Sequence, residues 1–90
     1  MAQLLDKVTG LLRAHLRDLD TAGLEQVREP GRVIGFVISP KFQGKDPGQR
    51  QRMLKRALNK GVKDGKITEQ EMLRVGPIVT MTPDEAAIHE

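Results

Sequence analysis

Phe42-Gln-Gly-Lys-Asp-Pro-Gly-Gln-Arg-Gln-Arg52 joins an apolar run, Val33 to Ile38, to a strongly basic segment, and its reading sets the fold. Asp46 carries a side-chain oxygen suited to cap a helix, Pro47 suits the first helical position, and Gln49 stands where a capping box requires it. A helix is therefore expected from Asp46 to about Lys60, with Gly61 as its C-terminal stop. Before it, Arg32 to Ser39 reads as the clearest strand, with Ile34, Phe36 and Ile38 on one face and Val33 and Val37 on the other. Apolar residues on both faces predict a central strand, and Ser39-Pro40 ends it.

Working outward, Leu4, Leu5, Val8, Leu11, Leu12, Leu16 and Leu19 recur at helical spacing and predict a first helix from about Ala2 to Leu19. Gly23 to Glu29 reads as a weak edge strand, and Pro30-Gly31 suits the centre of a type II turn. Beyond the basic helix comes a basic loop from Gly61 to Lys66. Thr68-Glu-Gln-Glu71 is a second capping box, opening a short helix to about Arg74. Pro77 to Met81 is the last strand, and Thr82-Pro-Asp-Glu85 opens a terminal helix. The expected class is α+β, in the order α-β-β-α-α-β with a terminal α: a small three-stranded mixed sheet with helices on one face.

Ninety residues make one domain, with too little interior for a buried substrate cavity beside a core. Cysteine is absent, which removes disulfides, thiolate metal sites and a cysteine nucleophile. The start of the chain lacks the pattern of a signal peptide, and no apolar stretch is long enough to span a membrane, so a cytoplasmic protein is expected. His15 falls at the rim of the first helix's apolar stripe and His89 near the chain end, and neither neighbours a nucleophile or a second ligand. A non-enzyme without metal, cofactor or small-molecule substrate is expected. Gly44-Lys-Asp-Pro-Gly48 lacks the spacing of a phosphate loop, and Asp46 should occupy the free N–H groups of the helix it caps.

Charge supplies the functional signal. Between Lys41 and Lys66 lie nine of the fifteen basic residues against two acids, a local net charge of +7, while the remainder of the chain is −4. Met53, Leu54, Ala57 and Leu58 form the buried stripe of the basic helix. Arg52, Arg56, Lys60 and Lys63 step along another face at four- and three-residue intervals, with Lys55 beside them and Lys66 in the following loop. Such a surface suits phosphate groups or an acidic protein. Arg50 stands in register with the apolar stripe, so its stem should be covered and its head should need an acceptor, backbone carbonyl or acidic side chain. The only aromatic residues, Phe36 and Phe42, give little for a single strand to stack on.

Phe42-x-Gly44-Lys45, then Arg50-x-Arg52 opening a helix, then a late strand closing on Thr82-Pro83-x-Glu85, resembles the BolA-like family. The resemblance implies a class II KH-type fold and two lines of activity. One is nucleic-acid binding (DNA or RNA) in transcriptional regulation under stress; the other is partnership with monothiol glutaredoxins in iron–sulfur cluster handling. Family members that bind a cluster carry a histidine at the start of the last strand, a position that falls at about Arg74 here, and a second ligand from a longer loop than Glu29-Pro30-Gly31-Arg32. Arginine only donates hydrogen bonds and cannot replace a ligand. Where class II KH folds carry Gly-x-x-Gly, this chain has Gly61-x-x-x-Gly65, flanked by Lys63 and Lys66. Two expectations result: nucleic-acid binding through the basic helix and the 61–66 loop, or docking of a glutaredoxin or other acidic protein.

Overall fold

The computed structural model describes residues 3–27 and 31–88. Its elements are α1 (Leu4–His15), β1 (Leu24–Gln26), β2 (Val33–Ile38), α2 (Pro47–Lys63), α3 (Glu69–Met72), β3 (Val75–Met81) and α4 (Pro83–Ile88). This is the α+β order read from the sequence. The sheet runs β1-β2-β3, with β1 antiparallel and β3 parallel to the central β2. Helices cover one face, where Val33, Val37, Leu24 and Ile78 meet Leu4, Val8 and Leu12 of α1 and Leu54, Ala57 and Leu58 of α2 in one buried cluster. Centrality in the sheet did not bring two covered faces. Phe36 and Val79, paired across β2 and β3, remain 39% and 56% exposed on the side away from the helices.

Each helix start follows the local chemistry. Asp46 accepts from the Gln49 N–H at 2.8 Å while the Gln49 side chain accepts from the Asp46 N–H at 3.0 Å, so α2 has both halves of a capping box. Thr68 with Glu71, and Thr82 with Glu85, repeat the reciprocal pair at α3 and α4. Between β2 and α2 the Ser39 hydroxyl accepts from the Lys41 N–H, starting a tight helical turn over Pro40–Phe42 that places Phe42 fully inside the core.

Several boundaries differ from the sequence reading. The first helix stops at His15, because Leu16 is extended and Asp18 takes a left-handed φ of 61°, a conformation aspartate tolerates. The chain then folds back so that Leu16 and Leu19 are still buried, and Asp20 bridges Ile38 in both directions. Gly61 does not stop α2. It is a buried position inside the helix where a Cβ would collide with the Leu11 side chain, so its missing side chain lets α1 approach α2. The helix runs on to Lys63 and the turn falls at Asp64–Gly65, which shortens the expected 61–66 loop. Strand β1 is shorter than expected, and α3 ends at Met72 rather than near Arg74. Strand β3 begins at Val75, two residues early, and holds Pro77 where its register with β2 shifts, a bulge that suits a residue without an N–H. Met53 is half-buried, and His15 is exposed at the end of α1, where it lines a shallow recess. Pro30 and His89 lie outside the described residues.

Candidate nucleic-acid interface

The residues that the sequence grouped around Phe42 to Arg52 separate into a buried joint and an exposed surface. Arg50 is the centre of the joint. Its Nε donates to the Phe42 carbonyl at 3.1 Å and the Lys45 carbonyl at 2.9 Å, and one terminal nitrogen donates to Glu85 Oε1 at 2.7 Å. The guanidinium carbon stands 6.0 Å from the Phe42 ring centre. Both kinds of expected acceptor are present, and one side chain ties the turn through Gly44 and Lys45 to α2 and to the first turn of α4 behind Pro83. Among the described residues no buried side-chain nitrogen or oxygen lacks a partner.

Glu85 accepts from Arg50 and from the Thr82 N–H, and the Arg50 hydrogen bond is the larger reason its carboxyl titrates below the ordinary glutamate range. Glu71 is held low in the same way, first by the Lys7 ammonium at 2.8 Å and then by the Thr68 N–H. A carboxyl whose folded-state pKa is depressed adds stability that is present above its unfolded value and lost as the pH falls through the folded one. The urea midpoint should therefore hold near neutrality and decline on acidification below the ordinary glutamate range. In the Glu71→Gln, Glu85→Gln double variant the decline should be shallower, measured by circular dichroism. Equal slopes in both proteins would remove these two carboxylates as its cause.

The exposed surface is the helix face opposite the core. With Leu54, Ala57, Leu58 and Gly61 turned inward, the 3.6-residue period turns Arg52, Arg56 and Lys63 outward. Arg52, Lys55, Arg56, Lys60, Lys63 and Lys66 are all exposed, and neither of the two ion pairs among the described residues uses any of them. From Arg52 to Lys63 the stripe is roughly 16 Å long at the helical rise. The six predicted contact residues are spread over the exposed side of α2 and its end, with Arg52 and Lys55 toward β3, Lys60 and Lys66 toward α1, and Lys63 on the helix rather than in a loop. Lys60 and Lys66 border a recess of about 140 Å³ that α1 closes with Ala14 and His15, and Asp64 lies in the same recess.

The sheet bears no aromatic residue on the basic side: Phe42 is buried, and Phe36 lies on the sheet face away from the helices. Asp46 occupies the Gln49 N–H at the start of α2. Arg74 is exposed after α3, its guanidinium close to Gly31. Among the described residues no group of three or more histidine, cysteine, aspartate or glutamate side chains is arranged to hold a metal ion. No helix among them is long and apolar enough to cross a membrane. The sequence reading did not single out Gln51, whose side-chain amide donates to the Ile78 carbonyl at 2.7 Å and lies at the mouth of a cleft between α2 and β3. No local signal marks it, since its partner is supplied by a strand 27 residues away. No protein-family model matches the chain, and no curated protein matches it.

Proposed function

We propose that the chain is a non-catalytic, BolA-like regulatory or adaptor protein of class II KH type that binds nucleic acid through the phosphate backbone. The observation that carries the reading is the set of six exposed cations on and just after α2, none of them in either ion pair formed among the described residues. Lysine and arginine left free in this way can exchange condensed counterions for protein contacts. The absence of an aromatic platform on that side favours phosphate tracking on a duplex over base stacking on a single strand.

The reading is tested by titrating labelled duplex and single-stranded oligonucleotides over a salt series. With about five phosphate contacts, duplex affinity should fall roughly 500-fold between about 50 and 200 mM salt. Lys63→Glu with Lys66→Glu should nearly abolish binding to the duplex. Lys63→Ala with Lys66→Ala should lower the slope of log affinity against log salt by about two. Flat titrations of the native chain at low salt, with both duplex and single strands, would sink this reading.

A further inference from the structure

Strand β3 is an edge of the sheet, and its free side is readable from two hydrogen bonds. The Met81 carbonyl turns toward β2 and accepts from the Ser39 N–H at 3.0 Å. The Ile78 carbonyl turns the other way, toward Gln51. A strand residue presents its N–H and carbonyl on the same side, so the Ile78 N–H also faces away from β2, and the period of two repeats this at Thr80. Natural edges are commonly blunted by charge, proline or a bulge. Here Pro77 and its register shift blunt the start of β3, while from Ile78 onward, among the described residues, the Gln51 amide is the group that blunts it.

This edge opens on a cleft of about 360 Å³ between β3 and α2. Leu54, Leu58, Met72 and Val75 give it an apolar floor, and Arg52 and Lys55 stand on the α2 bank with no acidic residue among the described residues of the lining. A free strand edge, an apolar trough beside it and a cationic bank are the three parts of a strand-addition site: backbone bonds hold an extended segment, and alternate side chains fill the trough. With no aromatic residue in the lining, the cleft offers bases nothing to stack on. The exposed cations select against a basic segment and for an acidic one.

We infer that the α2–β3 cleft takes an extended, acidic peptide segment of a partner protein, which adds to the edge of β3 as a fourth strand and displaces the Gln51 amide from the Ile78 carbonyl. Apolar side chains of that segment pack on the cleft floor, and its carboxylates meet Arg52 and Lys55. Arg52 and Lys55 are shared with the phosphate surface; the edge of β3, the Gln51 amide and the apolar floor are separate from it.

The probe is a fluorescein-labelled synthetic peptide of about eight residues, with isoleucine at alternate positions and glutamates elsewhere. A lysine-for-glutamate peptide is the charge control, and two further peptides carry N-methyl groups on alternate backbone amides in the two possible registers. The acidic peptide should bind, the lysine peptide should not, and only one methylation register should block binding. The Ile78 amide should become protected from hydrogen exchange in the complex. Lys55→Glu should weaken binding about tenfold by reversing one facing charge. Gln51→Ala should tighten it about threefold, because no protein group then competes for the Ile78 carbonyl. Absence of binding, equal binding by both methylated peptides, or an unprotected Ile78 amide would overturn the proposal. Protection of Ile78 by an oligonucleotide in place of the peptide would overturn the choice of occupant. Duplex binding is read in a separate titration, so either activity can fail while the other stands.

Discussion

Gly35→Ala should remove most of the domain's stability at room temperature. Gly35 lies in the middle of β2 at a φ of +129°, a conformation that L side chains rarely adopt. An added Cβ would overlap the Gly23 carbonyl oxygen and lie 3.0 Å from the Gly23 carbonyl carbon and 3.1 Å from the Leu24 Cα. All three atoms are backbone, so no rotamer change relieves the clash. Relief requires β1 to move off β2, and Leu24, opposite Gly35 in the ladder and buried in the core, must move with it. Strain at such a φ costs about 1–3 kcal/mol alone, and the displaced strand should bring the total to about 4 kcal/mol or more. That approaches the whole stability expected of a small domain, about 5 kcal/mol at the lower end. Gly10→Ala is the control: Gly10 is in α1, exposed, with open space where the Cβ would go, and the substitution should stabilise by about 0.5–1 kcal/mol. Urea titrations followed by circular dichroism measure both. A Gly35→Ala midpoint equal to that of the native chain would show that β1 contributes little to holding the sheet.

The contrast between the two glycines also shows what could be read before the structure. Helix starts were legible because a cap is local: Asp46, Thr68 and Thr82 each find their partner three residues on, and all three boxes form. Helix ends were less so. A glycine in a basic helix looks the same whether it ends the helix or admits a neighbour, and at Gly61 the answer lies with Leu11, fifty residues away. The end of α1 was hidden for a related reason. Leu16 and Leu19 have helical spacing and are buried, but it is the turn through Asp18 that returns them to the core. The exposed cations of α2 were legible because the helix is long enough to sort its residues by period. The cleft beside β3 was not, because it belongs to neither element alone: Gln51 and Ile78 are brought together by packing.

Arg50→Ala should destabilise the domain several times more than Glu85→Ala, although the two residues share one ion pair. Arg50 is 9% exposed and makes three hydrogen bonds, two of them to the carbonyls of Phe42 and Lys45. Those carbonyls belong to the turn between β2 and α2, and truncation leaves both without the guanidinium while removing a buried aliphatic stem. Bonds to a charged donor are each worth about 1.5–3 kcal/mol, and part of this is recovered where water reaches the turn, so a loss of about 3 kcal/mol is expected. The Glu85 side chain is 44% exposed, so water takes over its charge when the pair is broken, and Arg50 keeps its two carbonyls. Arg50→Lys should not rescue, because an ammonium has no planar fork to span acceptors in different directions. The measurement is a double-mutant cycle on urea midpoints. A small coupling energy, with Arg50→Ala dominant, assigns the joint to the carbonyl bridge. Equal losses from Arg50→Ala and Glu85→Ala, with a coupling of similar size, would assign it to the ion pair, and α4 rather than the Phe42–Lys45 turn would be the element that Arg50 holds in place.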